Sequence, residues 1–388
     1  MKKNLLFASM FLAAATMFSS CSTDKDLSAP APAQQAVSQN QNGNVELSAN
    51  TKIVSEKINS ALTEATEGKL VFRGEDKFLE QVKAGDILVA APNEVAVDGY
   101  LRNVTRVEKT GDSYVFYTSQ AKIEQAVKNA TIRMKAPIAF KGGNRKIKGD
   151  QQEAYSQNFS HSMPLNYIIY DVDGNYSSTY DQIKTNGSLT FSANMYLDMN
   201  ISNNQLTYFY ATSDFGMTHN QNVVIGGSVS ASGSIRVFQS VLPNLTFTVG
   251  ILPITVKPTM EVFLGYSGSA TAQVTFGYTG RANAKPIIQF TSGAWSYGFN
   301  RSISATRNPV SSVVSATMTG LIKPKVTMAL YGCTCASAYA QGEIYVTLKS
   351  TASPASVQVS AGVKGGAGAN LFGYAPANNA IFNLPIGL

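Results

Sequence analysis

Ser188-Leu189-Thr190-Phe191-Ser192-Ala193-Asn194, then Met195-Tyr196-Leu197-Asp198-Met199-Asn200-Ile201, the pair Asn203-Asn204 and Leu206 to Thr212 are the stretch that decides the fold. Each run is rich in β-branched and aromatic residues, and asparagine pairs favour turns, so the stretch reads as three strands. The pattern continues outward. Tyr167 to Tyr170 precedes it beyond the turn signal Asp173-Gly174-Asn175, and Val223 to Phe238 and Thr246 to Ile251 follow it. Turns recurring at intervals of about ten residues predict an antiparallel sandwich or barrel.

Further on, Gly227-Ser228-Val229-Ser230-Ala231-Ser232 and Ser267-Gly268-Ser269-Ala270-Thr271-Ala272-Gln273-Val274 alternate small polar with apolar residues. One face is therefore Ser, Thr and Gly, the solvent face of a sandwich. A membrane barrel needs broad apolar lipid faces and aromatic girdles, whereas the outward residues here are often Ala and Val.

Upstream, Thr51 to Pro137 mixes the two periods. Phe78, Leu79 and Val82 share a helical face, and Gly85-Asp86 introduces the apolar strand Ile87-Leu88-Val89. Leu101 to Val107 and Tyr114 to Thr118 read as strands joined across Lys109-Thr110-Gly111-Asp112, and Ile123 to Ala130 as a short amphipathic helix. The fold class is thus mainly β: a small strand-rich α+β module over 49–137, followed by a large antiparallel β-sandwich or barrel-like domain over 151–388. Between them, 138–150 reads as a linker whose Lys141, Arg145, Lys146 and Lys148 are solvated.

The first twenty residues carry Lys2 and Lys3, an apolar run from Leu5 to Phe18, and small residues before Cys21. This is the pattern of a secretory signal, too short for a comfortable membrane span. Phe18-Ser19-Ser20-Cys21 resembles a bacterial lipobox, with Phe in place of the commoner Leu. The resemblance implies that Cys21 carries diacylglycerol and an N-acyl chain, enough for stable membrane anchoring. Ser22-Thr23-Asp24-Lys25-Asp26 is similar to the surface-export tags of Bacteroidetes-type lipoproteins, which implies the outer membrane and display at the cell surface. The rest of 21–48, almost wholly Ala, Pro, Gln, Asn, Ser and Gly from Leu27 to Asn44, reads as a flexible tether. Lys83-Ala84-Gly85-Asp86-Ile87-Leu88-Val89 with Gly99-Tyr100-Leu101-Arg102-Asn103-Val104-Thr105, and the string from Asn186-Gly187-Ser188 to the Pro-Ile-Thr-Val-Lys-Pro stretch at 253–258, resemble segments of uncharacterised β-rich secreted and surface proteins of bacteria. That resemblance implies no known activity.

Composition narrows the chemistry. The chain has 388 residues, of which 14% are charged and 44% hydrophobic, which excludes global disorder. Formal charge is +7, and beyond residue 220 the acidic residues are Glu261 and Glu343 alone. A carboxylate-poor C-terminal half favours an anionic partner such as acidic glycan or lipopolysaccharide. Its cations, among them Arg236, Lys257, Arg281, Lys285, Arg301 and Arg307, are scattered singly, which argues against nucleic acid.

No His-Glu-x-x-His, Cys-x-x-Cys, Walker loop or Gly-x-Ser-x-Gly elbow is present, so no catalytic residue is assigned and no cofactor is expected. His161 with Met163, and Met217 with His219, would each share a strand face, a set suited to copper if the strands met. Cys333 and Cys335 are candidates for a local disulfide in an oxidising compartment. Trp295 and Tyr297 are candidates for sugar stacking or for capping the core. Asp171-Val172-Asp173-Gly174-Asn175 has its glycine too early for a calcium loop and reads as a turn. A binding or structural role at the envelope, adhesion or glycan contact, is the leading expectation. The alternatives are a carbohydrate-active hydrolase drawing a carboxylate pair from Asp171, Asp173, Asp181, Asp198, Asp214, Glu261 and Glu343, and an amphiphile carrier.

Overall fold

The computed structural model describes residues 45–137, 145–147, 160–242, 244–371 and 382–387. The N-terminal part contains β1 (Glu46–Leu47), β2 (Thr51–Ile53), α1 (Glu56–Asn59), β3 (Leu62–Ala65), β4 (Lys69–Arg73), α2 (Lys77–Glu80), β5 (Ile87–Ala90), β6 (Tyr100–Thr110), β7 (Ser113–Gln120), α3 (Ile123–Ala126) and β8 (Val127–Pro137). Next come β9 (Arg145–Ile147), β10 (Ser160–Pro164), β11 (Tyr167–Asp171), β12 (Gln182–Ser202), β13 (Gln205–Ile225), β14 (Val229–Val241) and β15 (Leu245–Val249). The chain continues with β16 (Leu252–Ala270), β17 (Val274–Thr291), β18 (Ala294–Arg307), β19 (Ala316–Leu330), β20 (Cys333–Ala352), β21 (Ala355–Leu371) and β22 (Phe382–Gly387).

These strands form two large sheets and one small one. The first large sheet runs β1-β8-β12-β13-β17-β18, with β10 and β11 also on β12; the second runs β22-β21-β20-β19-β16-β15-β9, with β14 also on β16. The chain alternates between them: the β12–β13 and β17–β18 hairpins lie in the first, β14–β16 and β19–β22 in the second. β17 packs across β20 and β21, so the expected antiparallel β domain is a sandwich. The small sheet is β2-β5-β6-β7-β4-β3.

The strands are longer than the sequence suggests. Ser188–Asn194 and Met195–Ile201 fuse into β12, which has 21 residues, because nothing at the junction supplies a turn. The true reversal is Asn203-Asn204, with φ of 50° and 60°, the two-residue geometry that suits the strand twist and that Asn tolerates. Conversely, the run Val223 to Phe238 breaks after Ile225. At Gly226 and Gly227 an added Cβ would meet the backbone carbonyls of Thr179 and Tyr180, so the chain passes there only without side chains. The Ile123–Ala130 helix is one turn, after which the chain extends into β8, where Ala130, Ile132 and Met134 alternate inward.

β8 carries the chain from the small sheet into the first large sheet, pairing with β12 from Ala130↔Ile201 to Pro137↔Asn194. Arg145–Ile147, inside the expected linker, pairs in parallel with β15. Within β5 the alternation serves two cores at once. Ile87 and Val89 join Leu101 and the interior of the sandwich, while Leu88 and Ala90 face Phe72, Tyr100 and Phe116 in a separate cluster. The module is therefore seated on the sandwich by its own strand face.

Candidate functional site

The junction of module and sandwich contains a groove of about 640 Å³. Known ligand clefts span roughly 300–1,000 Å³, so this one is of ligand size. Its floor is set by the loop between β5 and β6. Asn93 Oδ1 accepts from the amides of Val95 and Ala96, and Asn59 and Asn93 tie the loop to α1. Asp98 then anchors the loop to the sandwich, with Lys257 Nζ at 2.7 Å and Asn244 Nδ2 at 3.1 Å, while Asn244 also donates to the Val97 carbonyl. On the far wall Tyr331-Gly332 turns β19 into β20. Gly332 has φ of 68°, and a Cβ there would strike the Asp98 carboxylate, so both the turn and the docking require glycine.

Arg102 is the charged centre of this groove. Gln120 Nε2 donates to the carbonyls of Leu101 and Ala121, which fixes its Oε1 to accept from an Arg102 terminal nitrogen at 2.5 Å. The Arg102 Nε is buried and has no hydrogen-bond partner among the described residues. Burial lowers the Arg102 pKa and the charge of Glu67 opposes that shift, but a guanidinium stays protonated at any physiological pH. Asp98 is paired with Lys257, and Arg102 is held as the cation of the groove, with Glu67 as a second acidic group in its lining. Such a site suits a carboxylate or sulfate oxygen.

A second cavity, of about 50 Å³, lies between the large sheets and is lined by Met134, Met199, Phe209, Val256, Met328 and the buried Glu124 among others. That space is well below ligand size and is a packing void.

The sequence-predicted residues are dispersed. Cys21 lies outside the described residues. Cys333 is disulfide-bonded and lines the groove, while the Cys335 side chain lies outside the described residues. His161 and Met217 stand in one row of the first sheet with Phe191 of β12 between them; Met163 and His219 flank Leu189 in the next row. All four strand positions share a face, but β12 separates the pairs. His161 packs against Phe191 and Phe238, and His219 against Tyr278 at 4.3 Å. Burial lowers the His219 pKa to about 4, so its ring is neutral at pH 7. Trp295 packs on Phe209 and Phe290 at the edge of the main core, and Tyr297 beside it is half-buried.

Four of the seven carboxylates weighed for hydrolysis lie apart on strands. Asp198 pairs with Arg133, Glu261 with Arg236 and Lys325, and Glu343 with Lys364, while Asp214 is exposed on β13. The other three, Asp171, Asp173 and Asp181, converge in the loop between β11 and β12, with carboxylate oxygens within 4.8 Å of one another. Arg102 and Gln120 escaped the sequence reading because neither sits in a motif. Arg102 does fall within the Gly99–Thr105 string, the signal that could have pointed to it. Compared with known protein families, curated proteins and solved structures, the chain matches none.

Proposed function

We propose that the chain is a lipid-anchored envelope protein, tethered to the outer membrane through Cys21, that binds anionic glycan in the groove between its module and its sandwich. The single observation that carries this reading is Arg102, a half-buried guanidinium held by Gln120 in the lining of a groove of about 640 Å³. A glycan carboxylate or sulfate pairs with the guanidinium, whose orientation Gln120 sets. The carboxylate-poor C-terminal half adds a favourable long-range field. The small inter-sheet void gives no comparable support to amphiphile carriage.

The test is binding of the purified Cys21→Ala chain to arrayed acidic and neutral glycans at low salt, beside an Arg102→Gln variant. Retention of acidic glycans that falls with added salt and is lost in the variant supports the reading. Equal binding by both proteins, or none by either, overturns it.

A further inference from the structure

The short turn α3 lies where the chain leaves the small sheet for the first large one, and it buries a carboxylate. Ile123, Glu124 and Ala126 are the buried residues of its four, and Glu124 is 8% exposed. Its side chain lines the void between the large sheets, and the residues that line the rest of that void, from β8, β12, β13, β16, β19, β20 and α3 itself, include no other titratable group. Lys122, which precedes the turn, is the charged residue whose field reaches Glu124. Glu46, Asp98, Asp198, Glu261 and Glu343 each pair with a cation, whereas Glu124 forms no such pair among the described residues. Apolar surroundings accept the neutral acid and disfavour its anion.

The same turn is the joint of the molecule. Asn204 Nδ2, from the reversal between β12 and β13, donates to the Glu124 carbonyl at 3.0 Å and to the Val127 carbonyl at 3.2 Å. Thr51 Oγ1, from β2 of the small sheet, donates to the Ala126 carbonyl at 2.8 Å, and the Ser48 amide donates to it at 3.0 Å. Sandwich and module thus meet on the carbonyls of one turn. The void behind the turn also backs onto the groove. Val256 and Leu330 line the void, while the next residues along, Lys257 and Tyr331, hold Asp98 and line the groove.

We infer that Glu124 is a proton-operated latch between module and sandwich. Neutral, its side chain stays in the void and the joint is shut; ionised, it must draw water into the void or leave it, and the joint loosens. Burial raises the Glu124 pKa above the ordinary 4.5, against smaller opposing effects of its own backbone amide and of Lys122. The neutral form therefore belongs to the closed joint. Its contribution to stability is complete below pH 4.5 and is lost as pH rises through the folded value. The latch does not depend on the glycan reading, since it needs only the joint.

The experiment is amide hydrogen exchange of the purified Cys21→Ala chain, beside the same chain with Glu124→Gln, corrected for the intrinsic rate at each pH. As pH falls from about 8 to about 5, protection at Ile123 to Ile132 and at Thr51 to Ile53 should rise, by about tenfold for each unit by which folding raises the Glu124 value. Protection at Ile344, deep in the sandwich core, should not rise with it. Glu124→Gln keeps the shape without the charge, so its joint should be protected at pH 8 as well as the wild-type joint is at pH 5. Joint protection that stays flat with pH in the wild-type chain, or a rise that survives in Glu124→Gln, would overturn the latch.

Discussion

The groove at Arg102 and the loop at Asp171 differ in charge, shape and support. The groove is concave, carries Arg102 beside Glu67 and Asp98, and is built where the module and the sandwich meet. The loop is projecting and acidic, and it hangs from a single edge of the first sheet. Among the described residues, Arg102 Nε in the first and Gln182 Oε1 in the second are buried without a hydrogen-bond partner. The two regions lie on separate elements, so a perturbation of either can be tested against the other.

The largest perturbation should strike both together. Ile344 lies fully buried in the shared core, and its truncation to Ala should cost roughly 2–5 kcal/mol in denaturant unfolding. Loss of structure at only one of them in that variant would mean that the two ends unfold separately. Acid is the next lever. The ordinary His219 pKa of 6.5 falls to about 4 on burial, so the unfolded chain binds the proton more readily than the folded one. Stability from this residue is complete above pH 6.5 and is lost as pH falls toward 4, about 3 kcal/mol in all. A His219→Leu variant should flatten the unfolding profile across that window.

Arg102→Gln should weaken acidic glycan by about 1.5–3 kcal/mol, the worth of a hydrogen bond to a charged group, without touching the loop. Replacing Lys257 with Met frees Asp98 in the groove and should weaken glycan by about 1 kcal/mol, since this ion pair is only partly screened. Smallest of all, Tyr176→Ala with Tyr180→Ala should leave the melting midpoint in place, because both rings are in solvent.

The sequence made the class of fold legible because alternation, β-branched residues and asparagine turns agree along the chain. Strand length was less legible. Nothing local distinguishes Asn194-Met195 inside β12 from a break, and only the pairing of Asn194 with Asp214 and Met195 with Ser213 carries the strand through. The face shared by His161, Met163, Met217 and His219 was readable from a period of two. That β12 stands between the pairs was not, since strand order depends on contacts between distant segments. The same limit hid the groove. Asp98 meets Lys257 and Asn244 across about 150 residues, with no signal in either segment. The loop was half legible: Asp171-Val172-Asp173-Gly174-Asn175 announced acidic turn chemistry, but Asp181 and Gln182 join it only through the fold.

The most direct test of the groove against the loop is an NMR titration of the isotope-labelled Cys21→Ala chain with an acidic oligosaccharide. The account predicts shifts at Asp98, Arg102, Gln120 and Gly332 with the 171–182 loop silent. Shifts centred on the loop, or spread over the sheet faces with the groove silent, would contradict it.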